Sequence, residues 1–176
     1  MIELIVTSHI RAGDPCEADV RGLLNDAYPE GAPDELAQYY ACHGHPNTTL
    51  LAQADRRIIG HLAIYERRIK IGGEEVMAGL VGEVAVAADQ RGRGHARALV
   101  ERAHVHLRQR SIPFSILFAF EPRVYASSGY KLVQNEMRFL DKSGASQTGV
   151  LPSSMVAELL GRRWSDLPVD LCGRPV

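Results

Sequence analysis

Residues 84–110 read VAVAADQRGRGHARALVERAHVHLRQR. An apolar alternation, Val84-Ala85-Val86, runs into a short polar turn where Gly92 and Gly94 stand among arginines. A helical pattern follows, with Ala96, Leu99, Val100, Ala103 and Leu107 on an apolar stripe and Arg97, Glu101, His104 and Arg108 on a polar face. The order is strand, glycine turn, helix. Glycines at such a turn let successive N–H groups converge on one point, and the new helix adds the positive end of its dipole. The arrangement predicts a backbone cradle for a phosphate-type anion, with Arg91 and Arg93 adding charge and Ala96 staying small beside it.

Other readings of the same residues fail on particular positions. A dinucleotide fingerprint needs a third glycine where Arg97 stands, and a later strand bearing an acidic ribose ligand. A P-loop needs Gly-Lys-Ser/Thr, which is absent. A plain charged helix explains the outer arginines but not two glycines at its start. Six arginines fall in this stretch, yet the whole chain has 20 Lys plus Arg against 21 Asp plus Glu. Local basicity on a neutral protein suits a small anionic ligand better than a polyanion, so no nucleic-acid partner is expected.

Working outward, the chain of 176 residues has the length of one domain and an ordinary share of apolar residues, 45%. Ile2 to Thr7 predicts a strand, and Asp14-Pro15 an N-cap and first-turn proline for a helix to about Tyr28. A second helix is expected over Asp34 to Cys42. TTLLAQAD (48–55) predicts a strand, and IIGHLAIYERRIKI (58–71) a long one turning at Gly72-Gly73 into EEVMAGLVGEVAVA (74–87). Gly79 and Gly82 within that returning strand predict a bulge or a close backbone approach. IPFSILFAF (112–120) has the continuous apolarity of a strand buried on both faces, with a parallel neighbour. EPRVYASSG predicts a short helix ending at Gly129, YKLVQNEMRFLD (130–141) a further strand, and Met155 to Leu160 one more strand or short helix. The expectation is a single mixed α/β domain over residues 1–176.

Arg91-x-x-Gly94-x-Ala96 after an apolar strand resembles the acyl-CoA pyrophosphate loop of the GNAT superfamily of N-acetyltransferases, Q/R-x-x-G-x-G/A. The segment VYASSGY resembles that family's (F/Y)-Y-x-x-x-G-(F/Y) element, with Tyr125 four residues before Gly129 and Tyr130 after it. The two elements stand in the family's order and separation, and the matching core spans residues 58–140. The resemblance implies a central, mostly antiparallel mixed sheet flanked by helices, with a splayed parallel strand pair at the CoA site. It implies acetyl-CoA as co-substrate and transfer of its acetyl group by direct attack of a primary amine, on a small molecule or a peptide. The stretch YERRIKIGGEEV also resembles nodulation-type N-acyltransferases, which take longer acyl chains.

The resemblance assigns cofactor binding to Val84, Ala85 and Val86, which would pair with the pantetheine arm, and to Arg91, Gly92, Arg93, Gly94, His95, Ala96 and Arg97. Tyr125 would protonate the leaving thiolate, and Glu83 would deprotonate the amine directly or through water. Tyr28, Glu35 and Tyr39 stand where the family walls its acceptor pocket, and acidic and aromatic residues there suit a cationic amine. The alternative reading is a non-catalytic acyl-CoA-binding or sensor module, for which neither Glu83 nor Tyr125 would be needed.

Cys16, Cys42 and Cys172 lie far apart, which predicts reduced thiols, and none stands in the matching core as a nucleophile. Cys42-His43-Gly44-His45 has too few ligands for a metal, so none is expected. Arg67, Arg68 and Lys70 read as a solvated strand face. No apolar run reaches membrane-spanning length and no signal-peptide core is legible, so a cytoplasmic protein with no membrane partner is expected. A homodimer is common in the family resembled, although no residue here singles out an interface.

Overall fold

Two long strands joined by a tight hairpin organise the chain. The computed structural model describes residues 2–8, 10, 11, 13–29, 36, 40 and 44–176. In chain order the described elements are β1 (Ile2–Thr7), α1 (Glu17–Ala27), β2 (Thr48–Ala54), β3 (Arg57–Ile71) and β4 (Glu74–Val86). A 3-10 turn (Ala88–Gln90) leads to α2 (His95–Gln109), then β5 (Phe114–Phe118) and the short α3 (Arg123–Ala126). The remaining strands are β6 (Lys131–Leu132), β7 (Glu136–Leu140), β8 (Ser146–Val150), β9 (Ser154–Glu158) and β10 (Val169–Asp170). The fold is mixed α/β, with parallel and antiparallel strands and flanking helices. Two compact units divide the chain, Met1–Ile64 with Glu83–Ala103, and Tyr65–Gly82 with His104–Val176.

In the first unit β1 lies antiparallel on β2, and β2 antiparallel on the first half of β3, with a register shift between Ala52 and Gln53. Val20, Leu23 and Leu24 form the buried side of α1, one helical turn apart, and join Leu50, Leu62, Ile64, Leu99 and Val100 in the core. The helix begins at Glu17 rather than at the Asp14-Pro15 step. Asp14 Oδ2 accepts from the Arg11 N–H at 2.7 Å and Glu17 Oε2 from the Gly13 N–H at 2.7 Å, so these carboxylates close the preceding loop instead of capping at position 14. Of the helix expected over 34–42, only Leu36 and Tyr40 are described, both helical and both buried.

The second unit carries the strand path β6-β9-β5-β4-β3-β10-β7-β8. Its centre is β5, buried as its unbroken apolar run predicts, parallel to β4 and antiparallel to β9. The parallel ladder is short: Ala78, Gly79 and Leu80 pair with Phe114, Ser115 and Ile116, and the pairing ends there. YKLVQNEMRFLD is two strands rather than one. β6 pairs with β9, whereas β7 pairs with β10 and β8. Buried Asn135 lies in the break between them. Its Nδ2 donates to the carbonyls of Ser165 (2.8 Å) and Leu167 (2.7 Å), and its Oδ1 accepts from Trp164 Nε1 (2.9 Å), which ties this segment to the chain before β10. The segment around Met155 is the strand β9, and SQTGV before it forms β8.

Two polar residues stand elsewhere than their sequence pattern suggested. Arg67 is half-buried, and its Nη1 donates to the carbonyls of Arg174 (2.7 Å) and Leu171 (3.4 Å), so it is a strut and not part of a solvated face. His104 is buried against Tyr130, with ring centroids 5.1 Å apart. It stands four residues after Val100 and three before Leu107, which widens the apolar stripe past its expected edge.

Gly79 shows why the returning strand carries glycine. A Cβ there would meet Leu107 Cδ2, and would lie 2.6 Å from Leu107 Cδ1, in a fully buried region. Gly79→Val should therefore lower stability by about 1–3 kcal/mol through overpacking. Urea denaturation of the parent and variant measures the loss.

Candidate functional site

In the first unit the last residues of β4 leave the regular ladder with their backbone groups turned two ways. The Ala87 N–H donates to the Ile59 carbonyl at 2.9 Å, so strand alternation directs the groups of Val86 and Val84 to the edge away from β3. Ala85 and Ala87 are buried, whereas Val84 and Val86 are half-buried. Side chains reach both outward carbonyls. The Tyr28 hydroxyl donates to Val84 O at 3.1 Å, and Arg91 Nε to Val86 O at 3.0 Å. Tyr28, expected in an acceptor pocket, thus bonds the strand itself, while Glu35 and Tyr39 lie outside the described residues. Arg91 ties the glycine loop back onto the strand it follows.

The loop that comes next is exposed. Gly92 has φ +75° and Gly94 φ +84°, and a Cβ on either would meet nothing within 4 Å. Glycine supplies left-handed backbone here, beside open space. The Ala98 N–H donates to Gly94 O at 3.0 Å, which makes Gly94 the N-cap of α2. The first-turn N–H groups of His95, Ala96 and Arg97 have no helical acceptor, and they join the loop at the positive end of the helix dipole. Arg93 is exposed, and Arg97 Nε holds Glu101 Oε1 at 2.7 Å along the helix. His95 is buried, with no hydrogen-bond partner for Nε2. Arg57 bonds Asp89 at 3.0 Å below the loop, and the Gln90 amide and this guanidinium hold the Asp89 carboxyl below its usual range.

Glu83 is the irregular residue of β4. Its φ is +47°, left-handed for a residue with a side chain, and such a conformation costs about 1–3 kcal/mol unless neighbours hold it. The holder is His61, wholly buried on β3, whose Nδ1 lies 2.8 Å from the Glu83 carbonyl. A carbonyl only accepts, so Nδ1 carries the proton and the neutral ring offers its Nε2 lone pair. The buried Tyr40 hydroxyl donates to that lone pair at 3.2 Å. Burial, with the charge of Glu83 adding to it, pushes the Tyr40 phenol well above its usual range, so it keeps its proton.

The second unit holds Tyr125 on α3, half-buried, its phenol raised by burial alone. Its ring meets Tyr130 edge-on, centroids 6.2 Å apart. Tyr130 is buried and its hydroxyl shares a 2.5 Å hydrogen bond with Ser115 Oγ. Sequence reasoning missed His61 and Ser115 as polar groups of these arrangements. The signal for His61 was one histidine inside the apolar run IIGHLAIY, where alternation admits no solvent-facing excuse.

Desolvation lowers the His61 pKa from 6.5 to about 4, against the opposing pull of the Glu83 carbonyl. The unfolded chain therefore takes up this proton at a higher pH than the folded one. The stability contributed by the neutral ring is complete above about pH 6.5 and is lost as pH falls towards about 4. Over that window the parent should lose on the order of 3 kcal/mol more than His61→Asn. Chemical denaturation at several pH values measures this, and equal losses would remove His61 as the group responsible.

Residues 13–133 match the family model described as an acetyltransferase (GNAT) domain. No curated protein matches the sequence. Solved structures do resemble the fold. A GNAT family N-acetyltransferase from Escherichia coli in complex with CoA is 20% identical, with 97% of this chain and 91% of that one covered and a TM-score of 0.65. A GNAT family acetyltransferase from Brucella melitensis in complex with acetyl-CoA is 18% identical, with 95% and 94% covered and a TM-score of 0.60. A GCN5-related N-acetyltransferase from Anabaena variabilis is 20% identical over 74% of this chain, with a TM-score of 0.62, and here the match spans only 32% of the larger structure. The strand–glycine turn–helix order, the short parallel ladder of β4 and β5, and a family match over most of the length agree: the chain belongs to the GNAT acetyltransferase family.

Proposed function

We propose that this protein is an acyl-CoA-dependent N-acetyltransferase acting on a primary amine. The observation that carries the reading is the exposed cradle at Gly92–Arg97, where left-handed glycines and a helix start leave open space at a backbone rich in N–H donors. Support also comes from the matched GNAT structures in complex with acetyl-CoA or CoA. The cradle's chemistry fits a pyrophosphate, and Arg93 offers an exposed guanidinium beside it. Acyl-CoA, as co-substrate, supplies an activated thioester.

The chain's own residues then divide the work. The outward edge of Val84 and Val86 offers backbone groups to an extended amide-bearing arm. The Glu83 carboxylate removes the amine's proton, directly or through water, and the neutral amine attacks the thioester carbonyl. The tetrahedral intermediate expels the thiolate, which takes a proton from the acid. Tyr125 keeps the acid role that the family resemblance assigns, and a phenol raised by burial holds that proton at neutral pH. Among the described residues no helix is long and apolar enough to cross a membrane.

Isothermal titration with acetyl-CoA tests the reading, and absence of binding at millimolar ligand would sink it. Gly94→Val forces a branched side chain into left-handed backbone and should weaken binding by more than about tenfold. Tyr125→Phe should keep the parent's affinity and lose turnover by about a hundredfold against a panel of amines, and full activity would take the acid role away from it.

A further inference from the structure

Two buried polar groups, His61 and Tyr40, form a chain that ends on one irregular peptide of β4, and the cradle uses neither. The Glu83 carbonyl accepts from His61 Nδ1 at 2.8 Å, and His61 Nε2 accepts from the Tyr40 hydroxyl at 3.2 Å. One peptide further on, the Val84 carbonyl accepts from the Tyr28 hydroxyl at 3.1 Å. His61 and Tyr40 are essentially inaccessible to solvent, at 0% and 1% exposure, so water cannot stand in for either partner. The described chain has no cis peptide bond, and in a trans peptide the C=O and N–H point in opposite directions. A bond that fixes the Glu83 carbonyl towards His61 therefore fixes the Val84 N–H away from it. Strand alternation places that N–H on the edge of β4 that faces away from β3, the edge assigned above to the acyl-bearing arm.

We infer that His61 is a positioning residue for acyl transfer: through the Glu83 carbonyl it aims the Val84 N–H at the thioester oxygen. It touches neither substrate nor co-substrate. Its effect is to hold the Glu83–Val84 peptide in that direction although Glu83 itself stands in left-handed backbone. Tyr40 completes the device by holding the ring in the tautomer that donates from Nδ1. A donor already aimed where negative charge develops is worth more than one that must reorient during the reaction. The inference rests on the acyl-CoA reading and adds to it a residue that the glycine loop does not contain.

The test reads the carbonyl itself and needs no acceptor. Acetyl-CoA labelled with carbon-13 at the carbonyl is bound to the parent, His61→Leu and His61→Asn, and its stretching band is followed by difference infrared spectroscopy. Affinity for unacylated CoA is measured in parallel. In the parent the band should move to lower frequency on binding. His61→Leu keeps the volume but has no donor, so the shift should vanish while CoA affinity is retained. His61→Asn places an N–H near the Nδ1 position and should restore much of the shift, which a purely packing role would not do. An unshifted band in the parent, or a shift that persists in His61→Leu, overturns the inference while the acyl-CoA reading stands. Failure of the parent to bind acetyl-CoA overturns both. Should His61→Leu not fold, nitrogen-15 NMR of the parent decides: the proton must sit on Nδ1, and a ring protonated on Nε2 alone overturns the inference.

Discussion

The hydrogen bond between His61 and the Glu83 carbonyl separates two behaviours of a single strand. Before Glu83, β4 is an ordinary member of a sheet, close enough to α2 at Gly79 that a methyl group would not fit. After it, the same strand presents Val84 and Val86 outward and hands the chain to a glycine turn. A left-handed residue with a side chain is unfavourable by about 1–3 kcal/mol in isolation. Its persistence here requires a partner that water cannot replace, and a neutral imidazole buried on the adjacent strand meets that requirement.

The anion site we propose is a property of backbone more than of charge. Of the arginines near the glycines, Arg91 bonds the end of its own strand through Nε and Arg97 bonds Glu101 along α2. The glycines create the turn because their positive φ values suit no other residue well, and the space beside them is open. A side chain at either position would alter the backbone before it obstructed anything.

Periodicity made the large elements legible. The unbroken run FSILF announced a buried strand with a parallel neighbour, and the stripe from Leu99 to Leu107 announced α2. The glycine pattern announced the turn between strand and helix. What stayed hidden depends on contacts distant in sequence. YKLVQNEMRFLD is two strands, and the Asn135 side chain in the break is bonded to Trp164, Ser165 and Leu167, about thirty positions later. Gly79 and Gly82 were expected to mark a bulge or a close approach, and both are closely approached, by Leu107 and by Val176. The left-handed irregularity itself stands at Glu83, where a hydrogen-bond donor waits. His61 was visible only as a polar letter in an apolar run, and its partner Tyr40 lies twenty-one positions away.

Four tyrosines of this chain illustrate how environment assigns a role to one residue type. Burial moves the phenols of Tyr40, Tyr125 and Tyr130 the same way, upward, so all three keep their protons at neutral pH and pKa alone cannot distinguish them. Hydrogen bonding does. Tyr40 is committed to His61, Tyr130 to Ser115, and Tyr28 to the Val84 carbonyl. A hydroxyl that satisfies a buried acceptor cannot give up its proton without leaving that acceptor unpaired, which costs about 1–3 kcal/mol. Tyr125 differs in that its phenol is raised by burial alone, without a hydrogen-bond or charge contribution.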